Sequence, residues 1–454
     1  MTLDTIVAII TPCGEGGISS IRLSGEDAFT IADKIFRTKS GEKLKDKAGY
    51  TAAYGHIFDG DTILDDGIAL IFRAPKSYTG ENTVEISVHG GSFLIRKVLR
   101  AAISAGARAA EGGEFTKRAF ENGKISLTQA ESVMQMISAT GNQALMFAAR
   151  NKDGALSKYI EKITDKLLFL ASEVSVFSDF PEDETLLISE ETFLSSLKEI
   201  SSSLCALAKS YDRGKYLFGG INTAIVGSPN AGKSTLMNLL SKEKRSIVTA
   251  IPGTTRDIIE QTVTVGDFTL VLADTAGIRV SGDEVEKIGI DAALKRLETA
   301  DLCLAVFDTS VPPTDDDKEL LEKLKTRPCL LVLNKNDLEA KDNGFFETLG
   351  LPFVRVSAKF GFGEEELLSK ISEVLKLSNL DENLEILSNE RQYSKVLTAK
   401  KACDEAISAL ESGVTLDAVG IIIDEAISAL LELDGKKITT EVANEVFKNF
   451  CVGK

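Results

Sequence analysis

The segment INTAIVGSPNAGKST (221–235) constrains the fold of this chain more than any other feature. Its first residues form an apolar run typical of a strand, and the pattern G-x-x-x-x-G-K-[ST] follows at 227–234. Glycines at both ends of that loop allow the backbone to curl so that successive N–H groups face one centre. A strand, a glycine loop and a helix in this order predict a parallel α/β domain with a phosphate-binding loop.

Four more motifs follow in order, the first in a predicted switch loop and the other three after predicted strands. They are GTTRD (253–257), DTAG (274–277), NKND (334–337) and SAK (357–359). With the first loop they predict a GTP site in which Lys233 contacts the β- and γ-phosphates. The full predicted GTP-binding set comprises Asn230, Ala231, Gly232, Lys233, Ser234, Thr235, Thr249, Ala250, Ile251, Pro252, Gly253, Thr254, Thr255, Asp274, Thr275, Ala276, Gly277, Asn334, Lys335, Asp337, Ser357, Ala358 and Lys359.

Individual roles follow from the chemistry of these side chains. Ser234 and Thr255 are predicted ligands of Mg²⁺, with Asp274 as a further metal partner. Asp337 is expected to be a buried carboxylate that accepts hydrogen bonds from guanine N1–H and the exocyclic amine, which adenine cannot donate in that pattern. The N–H groups of the SAK loop are expected to contact guanine O6.

The water that attacks GTP has no obvious partner directly after DTAG. Position 278 is isoleucine, which cannot orient water, whereas many small GTPases have glutamine there. Asn230 could help to hold a monovalent cation, or it could simply cap the loop. The acidic run SGDEVEKIGID (281–291) could contact the water, or it could be solvated surface. The residues alone leave these alternatives open.

A chain of 454 residues is too long for one hydrophobic core, so we expect several domains. The sequence patterns on either side of the loop motifs indicate where they lie. Short β-rich runs over 1–118, with one helix near 91–105, predict an α+β domain. Apolar residues at three- and four-residue spacing predict long helices over 119–215 and again over 379–454. We therefore predict one α-helical domain in two segments, with an α/β domain (216–378) inserted between them.

Composition excludes several classes of protein. Six scattered cysteines without a C-x-x-C pair favour reduced thiols, and two histidines make chemistry based on histidine clusters unlikely. No apolar run is long enough to span a membrane, and the N-terminus lacks the basic region of a signal peptide, so we expect a cytoplasmic protein. A net charge of −16 gives no long-range attraction to nucleic acid, so any RNA contact must be local or shared with a partner.

The flanking motifs resemble one family over essentially the full chain. DTIVAIITPCGEGGISSIRLSG, YTGENTVEISVHGG, GEFTKRAFENGKISLTQAE, SDFPEDE and the terminal FCVGK occur in order around the loop motifs. Together they resemble the bacterial tRNA-modification GTPases of the MnmE (TrmE) family. The resemblance implies an N-terminal α+β tetrahydrofolate-binding-like domain that forms a homodimer, an α-helical domain in two segments, and an inserted Ras-like P-loop G domain.

The resemblance also implies the reaction and its participants. GTP hydrolysis is expected to accompany the addition of a carboxymethylaminomethyl or aminomethyl group to C5 of the wobble uridine of certain tRNAs. The implied partner is MnmG, which contains FAD, in a heterotetramer or larger complex, and the implied one-carbon donor is 5-formyltetrahydrofolate. Mg²⁺ and K⁺ are the implied ions.

Several residue roles come from the resemblance alone. Asn230, Thr249, Ile251 and Thr254 are expected to bind K⁺ in place of an arginine finger, and Glu286 to position the attacking water. Arg22, Glu85, Lys124 and Lys454 match the folate-contacting positions of the family. Separately from the resemblance, the spacing of Val442, Val446, Phe447 and Phe450 predicts that they dock the last helix and anchor the tail, and Val452 is expected to pack. Cys451 is either a buried, inert thiol or a nucleophile or acid beside the folate.

Two other functions compete with this prediction. The chain could be a GTPase switch in ribosome assembly, with its flanking domains as docking modules. It could also be a folate-binding scaffold with a degenerate G domain, although the intact set of motifs argues against that.

Overall fold

A computed structural model of the protein describes residues 4–12, 14–179, 189–241, 260–265, 268–273, 300–325, 327–375, 384–448 and 450–454. These residues belong to two compact units. The first lies within Met1–Met134, Asn151–Leu186 and Leu416–Lys454, and the second within Gln135–Arg150 and Leu187–Thr415. The four domain segments predicted from the sequence stay predictions.

The first unit contains a seven-stranded sheet with the strand order β3-β4-β5-β6-β2-β1-β7. Neighbouring strands are antiparallel except for the β1–β7 pair. The strands are β1 (Ile6–Ile9), β2 (Ile18–Ser24), β3 (Phe36–Thr38), β4 (Thr51–Asp59), β5 (Thr62–Phe72), β6 (Thr83–His89) and β7 (Arg108–Ala109).

Two helices cover one face of this sheet and form its core. They are α1 (Ala28–Ile35) and α2 (Ser92–Ser104), the latter close to the helix predicted near 91–105. Ile95 and Val98 of α2 are buried with Ile21, Val84 and Ile86 of the sheet. Alternation along the strands leaves Arg22 and Glu85 on the opposite face, so the core fixes which side chains that face presents.

The part of the sequence that follows β7 and precedes the second sheet is helical, as its spacing of apolar residues predicts. The helices there are α3 (Glu114–Glu121), α4 (Leu127–Ser138), α5 (Asn142–Lys152), α6 (Ala155–Asp179), α7 (Glu190–Lys209) and α8 (Tyr211–Gly219).

The second unit contains a six-stranded sheet with the order β13-β12-β11-β8-β10-β9. Its strands are parallel except for β9, an antiparallel edge strand that the sequence analysis did not predict. The elements are β8 (Ile221–Val226), α9 (Lys233–Ser241), β9 (Glu260–Val265), β10 (Phe268–Ala273), β11 (Leu302–Asp308), α10 (Asp315–Leu324), β12 (Cys329–Asn334), β13 (Phe353–Arg355) and α11 (Glu364–Val374).

The last helices of the chain are α12 (Glu390–Glu411), α13 (Leu416–Asp434) and α14 (Thr440–Lys448). In the first unit α13 packs against α6, and in the second unit α12 packs against α7. Each pair joins a helix from before the second sheet to one from after it. In each unit, helices from two separate segments of sequence therefore pack together.

Candidate functional site

The phosphate loop between β8 and α9 has the geometry that its glycines predict. Gly227 and Gly232 have φ angles of 146° and 101°, which favour glycine. A Cβ on Gly227 would lie 2.1 Å from the Val306 carbonyl oxygen, and one on Gly232 would lie 2.1 Å from Asn334 Nδ2. Asn230 is exposed with φ 64°, which asparagine tolerates better than most residues. The positive φ angle of the loop is therefore a second explanation, besides cation binding, for asparagine at this position.

Lys233 is a half-buried cation at the start of α9. Its Nζ donates hydrogen bonds to the carbonyl oxygens of Gly227 and Ser228, at 2.7 and 2.9 Å. No carboxylate among the described residues pairs with it, and burial lowers its pKa. A cation withdrawn from water without a fixed counter-charge stabilises an anion bound in the same loop. Ser234 and Thr235, next along the helix, are exposed.

Asn334 connects the phosphate loop to the loop predicted to contact guanine. Its Nδ2 donates to the Ala231 carbonyl oxygen at 2.8 Å, and its Oδ1 accepts from the Ala358 N–H at 3.0 Å. It is 3% exposed. The residue therefore holds two loops at a fixed separation.

Asp337 differs from its expected environment. The carboxylate is exposed rather than buried, because NKND continues into a surface turn after β12. One of its oxygens nevertheless accepts a hydrogen bond from Ser357 Oγ, so the side chain is oriented. Lys335 has φ 65° and pairs with Asp308. Burial acts to raise the pKa of Asp308, but hydrogen bonds from Lys335 and Ser310 outweigh it and lower that pKa.

A contact of the phosphate loop with Asp317 was not found from the sequence. Ser228 Oγ donates to Asp317 Oδ1, and the other oxygen of this carboxylate caps α10 by accepting from the Thr314 N–H at 2.9 Å. Thr314 completes the capping box. The spacing Thr-x-x-Asp predicts such a cap, but nothing local to Ser228 indicates its partner 89 residues away.

The remaining predicted GTPase residues lie outside the described residues. This holds for the predicted metal partners, the loop expected to bind potassium and the residue expected to position water, which are Thr249, Ala250, Ile251, Pro252, Gly253, Thr254, Thr255, Asp274, Thr275, Ala276, Gly277 and Glu286. Of the predicted potassium ligands only Asn230 is described, and of the predicted magnesium ligands only Ser234.

In the first unit, two predicted folate residues pair on the open face of the sheet. Arg22 and Glu85 are opposite each other on β2 and β6, and Arg22 Nε donates to Glu85 Oε1 at 2.8 Å. The guanidinium carbon lies 5.4 Å from the ring centroid of Tyr78 and 5.5 Å from that of Phe115. Burial raises the pKa of Tyr78. No local sequence pattern around Tyr78 or Phe115 indicates that their rings meet Arg22.

The C-terminal tail is ordered and lies against the start of α3. Gly113 N–H donates to the Cys451 carbonyl oxygen at 3.2 Å, and Phe115 N–H donates to Lys454 O at 3.1 Å. Gly453 has φ 96°, and a Cβ there would lie 2.4 Å from the Ile9 carbonyl oxygen. Lys454 is thus held by the backbone of Phe115, whose ring faces Arg22.

Lys124 is placed separately from this pair. It is exposed, and its Nζ donates to the Pro75 carbonyl oxygen at 3.1 Å. The motif that carries it supplies a buried residue, Arg118, which pairs with Asp4 and Glu114 at 2.8 and 3.1 Å and with Glu81 at 3.3 Å. Arg118 therefore has a structural role, because its ion pairs join the N-terminal segment and the loop with Glu81 to α3.

Three expectations about the tail need correction. Phe447 and Phe450 are buried as predicted, but Val442 is 43% and Val452 is 63% exposed, so neither packs. Val452 instead forms an isolated backbone bridge with Gly112. Cys451 is exposed, so the alternative of a buried, inert thiol is wrong. Its direct chemical role stays a prediction.

Comparison with known proteins identifies the family. The profile described as "GTP-binding protein TrmE N-terminus" matches residues 5–124, and that described as "MnmE helical domain" matches 127–451. The tRNA modification GTPase MnmE of Clostridioides difficile (strain 630) is 38% identical over 457 residues, which cover 99% of each chain. The chain belongs to the MnmE family of tRNA modification GTPases.

A second relative matches nearly the whole chain, and a solved structure matches about a third of it. MnmE of Lactococcus lactis subsp. cremoris (strain MG1363) is 40% identical over 453 residues, covering 99% of this chain and 98% of the relative. Among solved structures, the G domain of the T. maritima FeoB iron transporter is 31% identical, covers 34% of this chain and 98% of its own, and has a TM-score of 0.25. In the part of the chain that the structure describes, no helix is long and apolar enough to cross a bilayer.

Proposed function

We propose that this protein is a potassium-dependent GTPase that acts in tRNA modification. With the FAD protein MnmG and a folate one-carbon unit, it takes part in adding a carboxymethylaminomethyl or aminomethyl group to C5 of the wobble uridine of certain tRNAs. It works as a cytoplasmic homodimer within a larger complex with MnmG. The sequence relationship to MnmE proteins along the whole chain supports this proposal.

The environment of Lys233 carries the GTP part of the proposal. A half-buried ammonium group accompanied only by loop carbonyls among its described partners fits a polyphosphate. The P-loop N–H groups and the positive end of α9 add to the same field. Lys233 would neutralise charge that develops on the phosphates, and Asn334 would keep the phosphate and guanine loops at their separation.

The metal ions are assigned to residues by chemistry and by resemblance. Ser234 would hold Mg²⁺ together with Thr255, and Asn230 would hold K⁺ together with Thr249, Ile251 and Thr254. Oxygen ligands suit both ions. A bound K⁺ supplies positive charge beside the phosphates, as an arginine finger does elsewhere. Glu286 would orient the attacking water.

The open face of the N-terminal sheet supports the folate part. A 5-formyltetrahydrofolate presents a flat pterin ring with donor and acceptor edges and an acidic glutamate tail. Glu85 can accept hydrogen bonds from the pterin, and the Tyr78 and Phe115 rings flank Arg22. Lys124 and Lys454 would pair with the acidic tail. Cys451, exposed beside Lys454, remains a candidate acid or nucleophile.

The decisive experiment examines tRNA from a strain that lacks this gene. We expect mass spectrometry of its nucleosides to show loss of the modified wobble uridine, which the wild-type gene restores and the Lys233→Ala gene does not. Retention of the modification in the deletion strain would refute the proposal.

The potassium part has its own measurement. The GTPase rate of the full chain in KCl should exceed the rate in NaCl at equal ionic strength, and Asn230→Ala should remove this difference. Equal rates in the two salts for the wild-type protein would contradict potassium dependence.

Folate binding separates this proposal from a GTPase switch in ribosome assembly. Titration with 5-formyltetrahydrofolate should show binding that is weakened by Arg22→Ala and by deletion of residues 451–454. Lys401→Ala, an exposed lysine in the other unit, serves as the control. A wild-type protein that binds GTP but no folate would favour the switch.

A further inference from the structure

The solvent-facing side of α2 combines an aromatic residue with three cations. Phe93, Arg96, Lys97 and Arg100 are spaced at i, i+3, i+4 and i+7, which places them in one stripe along the helix. Phe93 is 71% exposed, and Lys97 Nζ lies 5.9 Å from the centroid of its ring. We call these four residues the α2 stripe.

The positive charge of the α2 stripe is not balanced locally. No ion pair joins its three cations to an acidic residue within the described part of the chain, whereas Arg108 and Arg118 nearby are each paired with carboxylates. The sequence contains no Asp or Glu between Glu85 and Glu111. In a chain of net charge −16, this segment of 25 residues without a carboxylate carries a local positive charge that attracts anions.

The opposite side of α2 fixes the stripe rigidly. Ile95 and Val98 are 4% and 0% exposed in the core of the N-terminal sheet. The helix therefore has no free apolar face to insert into a lipid surface, since Phe93 and the more distant Ile103 are its only exposed large apolar side chains. The stripe is a preformed surface, which loses little entropy on binding a polyanion.

We propose that the α2 stripe contacts the RNA backbone of the tRNA substrate; this rests on the proposed function, which supplies tRNA as the substrate. Arg96 and Arg100 are separated by one helical turn, about 6 Å along the axis, which is close to the spacing of adjacent phosphates in a nucleic-acid strand. Phe93 offers a flat face on which an unpaired base can stack. This surface meets the requirement for a local RNA contact on an acidic protein.

An acidic protein surface is the other partner that cations would suit. The exposed ring beside the cations favours RNA, because stacked bases and phosphates together use both kinds of side chain. The carboxylates of a protein partner would pair with the three cations and would make no use of the Phe93 ring.

The test measures binding of a fluorescein-labelled tRNA transcript to the full chain over a range of KCl concentrations. Arg96→Ala/Arg100→Ala should weaken binding about tenfold and reduce the slope of log K against log [KCl] by roughly one to two. Phe93→Ala should weaken binding at least about fivefold and leave the slope unchanged. Arg96→Lys/Arg100→Lys should retain most of the slope.

A matched control removes the same charge elsewhere. Lys318 and Lys323 are exposed on α10 and paired with Asp315 and Glu319, so Lys318→Ala/Lys323→Ala should bind tRNA within about twofold of the wild-type protein. Calorimetry of the full chain should show the same unfolding transitions in all variants, which shows that both units are folded.

The possible failures are distinguishable. If the wild-type chain binds tRNA and the double arginine variant binds it with equal affinity and slope, the inference is overturned and the proposed function stands. If the double variant loses MnmG binding while it retains tRNA binding, the stripe binds protein and the inference is again overturned. If the wild-type chain binds no tRNA, the inference is overturned, and the proposed function is decided separately by the tRNA nucleosides of the deletion strain.

Discussion

Asn334 shows how one side chain can control two loops of the candidate nucleotide site. Its Nδ2 donates to the Ala231 carbonyl oxygen of the phosphate loop, and its Oδ1 accepts from the N–H of Ala358 in the second loop. The close approach of its Nδ2 explains why position 232 must be glycine. Asp337, three residues after Asn334 in the NKND motif, is exposed, and one of its carboxylate oxygens accepts a hydrogen bond from Ser357 Oγ.

Asp337→Asn should change the preferred base. The carboxylate is expected to accept from guanine N1–H and the exocyclic amine, whereas an amide would donate to the oxygen that xanthine has at that position. We expect GTP binding to weaken at least about tenfold and xanthosine triphosphate binding to improve, since hydrogen bonds to charged groups contribute roughly 1.5–3 kcal/mol. Competition with a fluorescent nucleotide measures both, and unchanged GTP selectivity would refute the assignment of this residue.

The thiols of the chain should differ sharply in reactivity. Burial raises the pKa of Cys303 and of Cys403 to about 12, so few of these thiols ionise near neutral pH. Cys451 is exposed at the tail. We expect a thiol-alkylating reagent to label Cys451 before Cys303 and Cys403, as read by peptide mass spectrometry. Faster labelling of Cys303 or Cys403 would show that the core opens readily.

At the scale of elements, the first turn of the phosphate loop is braced by the N-terminus of α10. Asp317 is 8% exposed, and its carboxylate joins the α10 cap to Ser228. We expect Ser228→Ala to weaken GTP binding about three- to tenfold, because a typical hydrogen bond contributes about 0.5–1.5 kcal/mol. Nucleotide titration measures this.

The neighbouring Asp316 provides the control for that prediction. It is exposed in the same first turn, and Asp316→Asn removes a surface charge while the Ser228–Asp317 hydrogen bond stays in place, so nucleotide affinity should be unchanged. Ser228→Thr, which retains the hydroxyl, should restore much of the affinity. If Ser228→Ala binds GTP as the wild-type protein does, the brace has no part in the site.

The carboxylates around α3 give the first unit an acid-sensitive network. For Asp4, the hydrogen bond from Arg108 is the largest influence and lowers the pKa below 3.8. For Glu114, burial acts to raise the pKa, but hydrogen bonds from Arg108, the Glu111 N–H and Arg118 outweigh it and lower the pKa below 4.5. Groups with lowered pKa values stabilise the fold above their unfolded pKa values, and this stability disappears as the pH falls through the folded values.

Arg108→Met should therefore reduce stability and its dependence on pH. We expect a loss of about 1 kcal/mol at neutral pH, since Arg108 is partly exposed, and a shallower fall in melting temperature between about pH 5 and pH 3. Calorimetry on the full chain measures both. Arg96→Met, which removes an exposed arginine without an ion pair among the described residues, should have little effect on this profile. Equal profiles for wild-type and Arg108→Met would exclude this network as the cause.

Particular elements show what the sequence could and could not predict. Strands β8, β11 and β12 and the helix after Gly232 follow from local apolar runs and glycine spacing. The antiparallel edge strand β9 has no apolar run, and only its short alternation of Thr and Val is typical of a strand. Tyr78 and Phe115 meet Arg22 only through long-range folding, so no local pattern predicts that contact. Val452 is exposed although it is expected to pack, because residue spacing in a short tail does not reveal which side faces the core.

At the scale of the whole molecule, the two candidate sites belong to different compact units. The first unit has its own core beneath the sheet with Arg22, and the second has cores on both faces of the sheet with the phosphate loop. Since each site is positioned by its own core, damage to one should leave the other's ligand affinity intact.

A pair of reciprocal substitutions tests this independence. Arg22→Ala should weaken binding of 5-formyltetrahydrofolate at least about tenfold, because it removes the charged partner of Glu85, and GTP affinity should stay within about twofold. Lys233→Ala should abolish tight GTP binding, and folate affinity should stay within about twofold. Calorimetric titration of each ligand into each full-length variant gives the four affinities. Loss of both ligands in either variant would mean that the two units depend on each other for their binding-competent structures, and the separate cores would then not explain the sites.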